Sequence, residues 1–93
     1  MKAVKFQEPW KVACVETDMP MPGVGEALIR VKSAGICGSD IGAFRGTNLL
    51  VSYPRIIGHE IAGEIVSLPE NSPENLKIGD HVVVEPYVYC GHC

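Results

Sequence analysis

Glycine and proline recur so often in this chain that the segments between them are short. Ten glycines and seven prolines lie among 93 residues. Because both residue types mark turns, this density predicts many short strands and few helical residues. The pattern is typical of a mainly β, barrel-like fold with a single small core.

The apolar runs between the turns indicate where the strands lie. They predict strands at 4–6, 12–15, 26–34, 61–68 and 81–84, with a turn at 8–10 and a loop at 68–75. The alternation within 26–34 predicts an apolar face that includes Ile29 and Val31. The β-branched run 82–84 is typical of a buried strand. Cys14, between two apolar neighbours, is expected to be a small buried hydrophobe.

Composition excludes several classes of protein. The formal net charge of -3 provides no basic face for nucleic acid, and no apolar stretch reaches membrane-spanning length. Residues 1–6 lack the apolar core of a secretory signal, which predicts a cytoplasmic, reducing setting. Four cysteines in that setting are expected to be metal ligands, reactive thiols or packing groups rather than disulfides.

Two glycine-bounded segments carry most of the candidate chemistry: Gly-Ile-Cys-Gly-Ser-Asp at 35–40 and Gly-His-Glu-Ile-Ala-Gly at 58–63. A catalytic zinc takes three protein ligands, preferably thiolate and imidazole, and keeps a fourth position open. Cys37 and His59 supply one of each, and Glu60 is either a third ligand or a nearby carboxylate. Taken singly, His59 also fits a structural histidine and Cys37 a buried thiol.

Ser39 and Asp40 follow the first of these cysteines. The pair is well placed to cap a short helix that runs through residue 44. Asp40 can also accept a hydrogen bond from the ring nitrogen of His59 that a metal would leave free. The earlier pair Gly23 and Gly25 is no dinucleotide fingerprint, because the third glycine is absent and a strand follows. We therefore predict no cofactor-binding residues in this chain.

Two further motifs complete the set, Gly-Asp-His-Val at 79–82 and Val-Glu-Pro at 84–86 ahead of Cys-Gly-His-Cys at 90–93. In this order and at these separations, the four motifs resemble the N-terminal part of the zinc-dependent medium-chain alcohol dehydrogenases. The sequences at 53–60 and 84–93 most resemble those of the sorbitol, threonine and sugar-acid dehydrogenase branch. The resemblance spans essentially the whole chain.

The resemblance implies a GroES-like, partly open β-barrel with short helices. Residues 1–93 would be the catalytic domain of a two-domain enzyme, ending where the structural-zinc lobe begins, with the Rossmann domain outside the chain. By the same resemblance, the site residues are Cys37, His59 and Glu60 at the catalytic zinc, Ser39 and Asp40 as catalytic residues, and Cys90 and Cys93 as half of a structural zinc site. Glu60 matches a carboxylate that binds zinc directly in polyol dehydrogenases and lies beside the ligands in many other alcohol dehydrogenases.

The activity that the resemblance implies is oxidation of a polyol or sugar-derived secondary alcohol to a ketone. Zinc would favour the alkoxide, Ser39 would carry the proton away, and hydride would pass to NAD or NADP. The dinucleotide would be bound mainly by the absent domain, so the 93-residue piece alone is expected to be inactive. The expected partners are a small-molecule alcohol and, for the full-length protein, identical subunits in a dimer or tetramer.

Two other functions remain open at this stage. Cys-Gly-His-Cys at 90–93 is also the active-site tetrapeptide of protein disulfide isomerases, so a redox dithiol is one alternative. Such a site needs its first cysteine at a helix N-terminus, and no helical pattern follows Cys93. The other alternative is a non-catalytic GroES-like binding module, which would not need Cys37, His59 and Glu60.

Overall fold

The computed structural model describes all 93 residues. Its elements, in chain order, are β1 (Lys2–Glu8), β2 (Lys11–Glu16), β3 (Leu28–Ala34), α1 (Gly38–Arg45), β4 (Arg55–Ile56), β5 (Ile61–Ser67) and β6 (His81–Val83). The strands form two open, three-stranded antiparallel sheets, ordered β2-β1-β4 and β3-β5-β6. This confirms the predicted mainly β, partly open fold. The one helix is neither long nor apolar enough to cross a membrane.

The first hairpin is fastened to α1 through its turn. Trp10 adopts a left-handed backbone conformation with φ 66°, which is uncommon for a bulky residue. Its backbone N–H donates to the Phe44 carbonyl at 2.7 Å, and its ring meets that of Phe44 edge-on at 5.2 Å. Phe6 on β1 contacts the same ring at 5.7 Å. These contacts hold α1 against one end of the first sheet.

The second sheet is organised around β5, its central and most buried strand. Ile65 is 2% exposed. Gly63 of β5 lies so close to β3 that an added Cβ would collide with the Arg30 carbonyl and with the Ile29 side chain. Only glycine permits this separation of the two strands without movement.

Three sequence predictions about burial are wrong. Val31 is 54% exposed, because its partner across the strands is Gly63, which has no side chain, and β3 is an edge strand. Val83 is 80% exposed, because β6 pairs only with β5. Cys14 is exposed as well. It pairs with Val4 of β1, whereas α1 contacts the first sheet farther along β1, at Phe6.

Sequence reasoning also missed β4. It has two residues and pairs Ile56 with Lys5 and Arg55 with Phe6 of β1. A strand this short has no periodicity to detect. Its effect is large all the same, because it attaches the chain to the first sheet three residues before His59.

Candidate metal centre

The beginning of α1 positions the first candidate ligand. Cys37 is the N-cap residue, with extended backbone angles of φ -90° and ψ 159°. Its backbone N–H donates to Asp40 Oδ2 at 2.9 Å. Ser39 and Asp40 lie inside the first turn, and the Asp40 side chain caps the helix from its third position, as the sequence predicted, while Cys37 rather than Ser39 is the N-cap residue. The Asp40 carboxylate reaches back three residues and satisfies a backbone donor that the helix leaves free.

His59 and Glu60 lie in the short connection between β4 and β5. The Gly35 N–H donates to the Glu60 carbonyl at 2.7 Å, which ties this connection to the segment that precedes α1. A Cβ at Gly35 would collide with the Glu60 carboxylate and lie 3.1 Å from its Cβ. The glycine thus lets the two site-bearing segments approach each other.

Cys37, His59 and Glu60 come together as a possible metal site. Each offers one ligand atom, and these atoms all lie within 4.8 Å of one another. Cys37 and His59 are partly buried and Glu60 is exposed. A thiolate, an imidazole and a carboxylate fit zinc, and three protein ligands leave its fourth position open. The donor set therefore fits a catalytic rather than a structural zinc ion.

Asp40 lies beside the imidazole that the metal would use. Its Oδ1 is 3.6 Å from His59 Nδ1, and the two side chains are 13% and 34% exposed. That separation is longer than a hydrogen bond but close enough for electrostatic attraction. A ring that presents Nδ1 to Asp40 leaves Nε2 for a metal, the arrangement typical of carboxylate–histidine–metal triads.

The neighbouring groups favour charged forms of the thiol and the imidazole. Hydrogen bonds from the Ser39 hydroxyl and backbone, and one from His59, lower the pKa of Cys37, although burial and the Glu60 charge oppose this. The hydrogen bond to Cys37 raises the pKa of His59; the charge of Asp40 acts in the same direction and burial acts against it. A thiolate is the form of cysteine that binds metal.

Two cavities meet at His59. The larger, about 430 Å³, is lined by all three candidate ligands and reaches Val83 and Tyr87 after β5. The smaller, about 240 Å³, is lined by residues of α1 and β4, among them Ser39, Asp40 and Arg55, and by Asn48 from the segment between these elements. Sequence analysis did not single out Asn48 or Arg55. The only sequence feature that could have indicated a role for them in the site is their nearness to His59 along the chain.

Cys90 and Cys93 lie after β6, outside any helix or strand, and are not among the residues that line either cavity. Both are exposed, and their sulfur atoms are 3.1 Å apart. A hydrogen bond from the Cys93 thiol lowers the pKa of Cys90 to about 7, with further help from the backbone of His92. The pair is preorganised either for half of a metal knuckle or for a disulfide.

Comparison with known proteins gives the class to which this architecture belongs. Residues 23–93 match the family described as the alcohol dehydrogenase GroES-like domain. The chain therefore belongs to the zinc-type alcohol dehydrogenase family through its GroES-like domain. Relatives that include sorbitol and L-threonine dehydrogenases confirm the branch indicated by the sequence.

Individual relatives match the chain from end to end. A zinc-type alcohol dehydrogenase-like protein of Haemophilus influenzae is 47% identical over 93 residues, which is 100% of this chain and 27% of the relative. L-galactonate-5-dehydrogenase of Escherichia coli K12 is also 47% identical, with the same coverage. A crystal structure of an E. coli CFT073 alcohol dehydrogenase complexed with NADH superposes with a TM-score of 0.86, at 43% identity, over 100% of this chain and 26% of that one. The chain spans about a quarter of the length of these relatives.

Proposed function

We propose that this chain forms the zinc-binding catalytic domain of an NAD(P)-dependent alcohol dehydrogenase. Its substrate would be a secondary alcohol derived from a polyol or sugar, which it would oxidise to a ketone. One observation carries the proposal: the convergence of Cys37, His59 and Glu60 with ligand atoms within 4.8 Å. The alcohol dehydrogenase relatives and the NADH-complexed structural neighbour support the reaction class.

Each side chain of the site has a proposed role. Cys37, His59 and Glu60 hold the metal, and Asp40 orients the His59 ring through its Nδ1 edge. Zinc, when bound, supplies Lewis acidity that lowers the pKa of a hydroxyl group it polarises. The Ser39 hydroxyl lies beside Cys37 and lines the 240 Å³ cavity, so it can accept the substrate proton and pass it away from the metal ligands.

We propose no dinucleotide site within these 93 residues. The curated relatives are nearly four times as long, since 93 residues cover 27% of each of the first matches. We propose that the cofactor is bound mainly outside this chain and that the 93-residue piece by itself transfers no hydride. By the same resemblance, Cys90 and Cys93 are proposed as two ligands of a structural zinc whose remaining ligands lie beyond residue 93.

The test uses the protein at the full length at which its native source produces it. NAD⁺- and NADP⁺-dependent oxidation of a panel of hexitols and sugar acids is followed at 340 nm, together with the zinc content. We expect turnover in the wild type and its loss in Cys37→Ala, with Cys14→Ala as a matched cysteine control outside the site. An active Cys37→Ala variant, or an intact mass near 10.0 kDa, would contradict the assignment.

A second function is favoured by the 3.1 Å separation of the Cys90 and Cys93 sulfur atoms. A dithiol at this distance can form a disulfide, and the lowered pKa of Cys90 favours its nucleophilic thiolate. An insulin-reduction assay separates the two functions. Turnover that is lost in Cys90→Ser but kept in Cys37→Ala would replace the dehydrogenase proposal by a redox one.

A further inference from the structure

Arg55, an exposed residue that lines the 240 Å³ cavity beside His59, is a cation without an ionic partner in this chain. Arg55 lines the cavity and takes part in none of the four ion pairs and none of the side-chain hydrogen bonds of the structure. The one carboxylate that also lines it, Asp40, is already engaged by the Cys37 N–H and faces the His59 ring. The guanidinium is therefore free to bind an anion.

Two further donors lie along the same cavity. Asn48 Oδ1 accepts the Leu50 N–H at 3.1 Å, which fixes the amide and leaves its NH₂ group as the free donor. Ser39 also lines the cavity, and its hydroxyl forms a hydrogen bond with Cys37. One candidate metal ligand, His59, thus lines the same cavity as a hydroxyl, an amide and an arginine. Val51, Ile56 and Ile57 add apolar residues to its lining.

We propose that this cavity is the anion subsite of the dehydrogenase, in which Arg55 and Asn48 bind the carboxylate of a sugar acid. The inference rests on the proposed function, since the hydroxyl to be oxidised would lie near Ser39 while the carboxylate extends toward Arg55. A planar guanidinium matches a carboxylate through two parallel hydrogen bonds, which fixes both the charge and the orientation of the substrate.

The charges of the cavity favour a carboxylate over a phosphate ester. In the zinc-loaded protein His59 would be a neutral ligand, so the charges among the residues that line the cavity would be one positive at Arg55 and one negative at Asp40. A monoanion is balanced by the guanidinium alone. A phosphate dianion would leave an uncompensated negative charge near Asp40, which is destabilising in a partly enclosed site.

The test compares a hexonate with the uncharged hexitol of the same configuration, using the full-length protein and whichever dinucleotide it accepts. Arg55→Met is expected to raise KM for the hexonate about tenfold to hundredfold, the range for loss of a charged hydrogen-bonded contact. KM for the hexitol should change less than about twofold, and kcat should stay the same for both. Arg55→Lys should recover part of the loss, because it keeps the charge without the planar fork.

Two controls keep the result specific. Arg45→Met removes an arginine at the end of α1 that does not line the cavity. This substitution should leave KM unchanged for both the hexonate and the hexitol. Hexonate binding to the zinc-loaded protein without dinucleotide, measured by calorimetry, should weaken in Arg55→Met by the same factor as KM rises. An unchanged zinc content shows that the variant has folded around an intact metal site.

The outcomes separate this inference from the function on which it rests. A wild type that oxidises the hexitol but shows no preference for the hexonate, or an Arg55→Met variant that affects both equally, would overturn the subsite alone. Preference for a hexitol phosphate over the hexonate would also overturn it. Failure of every alcohol to support dinucleotide reduction would overturn the dehydrogenase proposal together with the subsite.

Discussion

Asp40 Oδ1 lies 3.6 Å from His59 Nδ1, while the other oxygen of the same carboxylate accepts the Cys37 N–H at 2.9 Å. One side chain therefore supports both of the partly buried candidate ligands. It stabilises the beginning of the helix that carries the cysteine, and it attracts the Nδ1 edge of the histidine ring. Helix capping and ligand orientation are coupled through Asp40.

Asp40→Asn should weaken zinc binding while preserving the helix. Asparagine can still accept the Cys37 N–H and is a good capping residue, but it carries no charge for His59. We expect the zinc dissociation constant to rise about tenfold to hundredfold, the usual cost of losing such a supporting carboxylate. Chelator competition in a Cys90→Ser/Cys93→Ser background measures this site alone.

Asp80→Asn is a matched control for that substitution. Asp80 accepts the Lys77 N–H at 2.9 Å, a local contact of the same kind, in a turn that does not line the metal site. Its replacement should leave zinc affinity unchanged. Equal weakening by both substitutions would show that general destabilisation, rather than the contact with His59, is responsible.

Gly35→Ala should disturb the position of Glu60. The new Cβ would meet the Glu60 carboxylate, which is the flexible end of a side chain, so the carboxylate should move while the fold is kept. Zinc affinity should fall, with far-ultraviolet circular dichroism unchanged. Gly38→Ala, where a Cβ meets nothing within 4 Å, is the control. If Gly35→Ala binds zinc as the wild type does, Glu60 is not a ligand in its present position.

Gly63→Ala should lower stability by about 1–3 kcal/mol or more, the range for overpacking. The added Cβ would collide with the backbone carbonyl of Arg30, which cannot turn aside as a side chain can, and would lie 2.7 Å from Ile29 Cγ2. Urea unfolding monitored by fluorescence of Trp10 measures the change. Gly38→Ala again serves as control and should shift stability by less than about 0.5 kcal/mol.

The Cys90 thiol should react with iodoacetamide as a group whose pKa is about 7. In metal-free protein, its alkylation rate should rise with pH and reach half of its maximum near pH 7, because only the thiolate reacts. The hydrogen bond from Cys93 favours the thiolate, so Cys93→Ala, which removes the donor, should move this midpoint to higher pH. Mass spectrometry of the modified peptide follows the reaction, and a midpoint unaffected by Cys93→Ala would contradict the assigned cause.

Sequence patterns predicted the elements that depend on local signals. The hairpin around residues 8–10, the strand that became β5 and the short helix after Cys37 all lie where turns and apolar runs place them. Cys37, His59 and Glu60 were nominated from two short motifs and a family resemblance, and the fold brings the three together. Their role as zinc ligands stays a prediction.

Features that depend on distant packing were not predictable. Exposure of Val31 follows from its pairing with Gly63, a matter of register between strands about thirty residues apart. The N-cap position of Cys37 depends on where the helix begins, which the sequence pattern did not specify. Arg55 and the cavity it lines depend on β4, whose two residues carry no periodic signal.

The central claim is that Cys37, His59 and Glu60 hold one zinc ion, and zinc stoichiometry tests it most directly. The Cys90→Ser/Cys93→Ser variant removes the other pair of neighbouring thiols, and its metal content is measured by inductively coupled plasma mass spectrometry after dialysis. We predict one zinc per chain in this variant and essentially none after Cys37→Ser is added. Absence of zinc from the first variant, or equal zinc in both, would contradict the account.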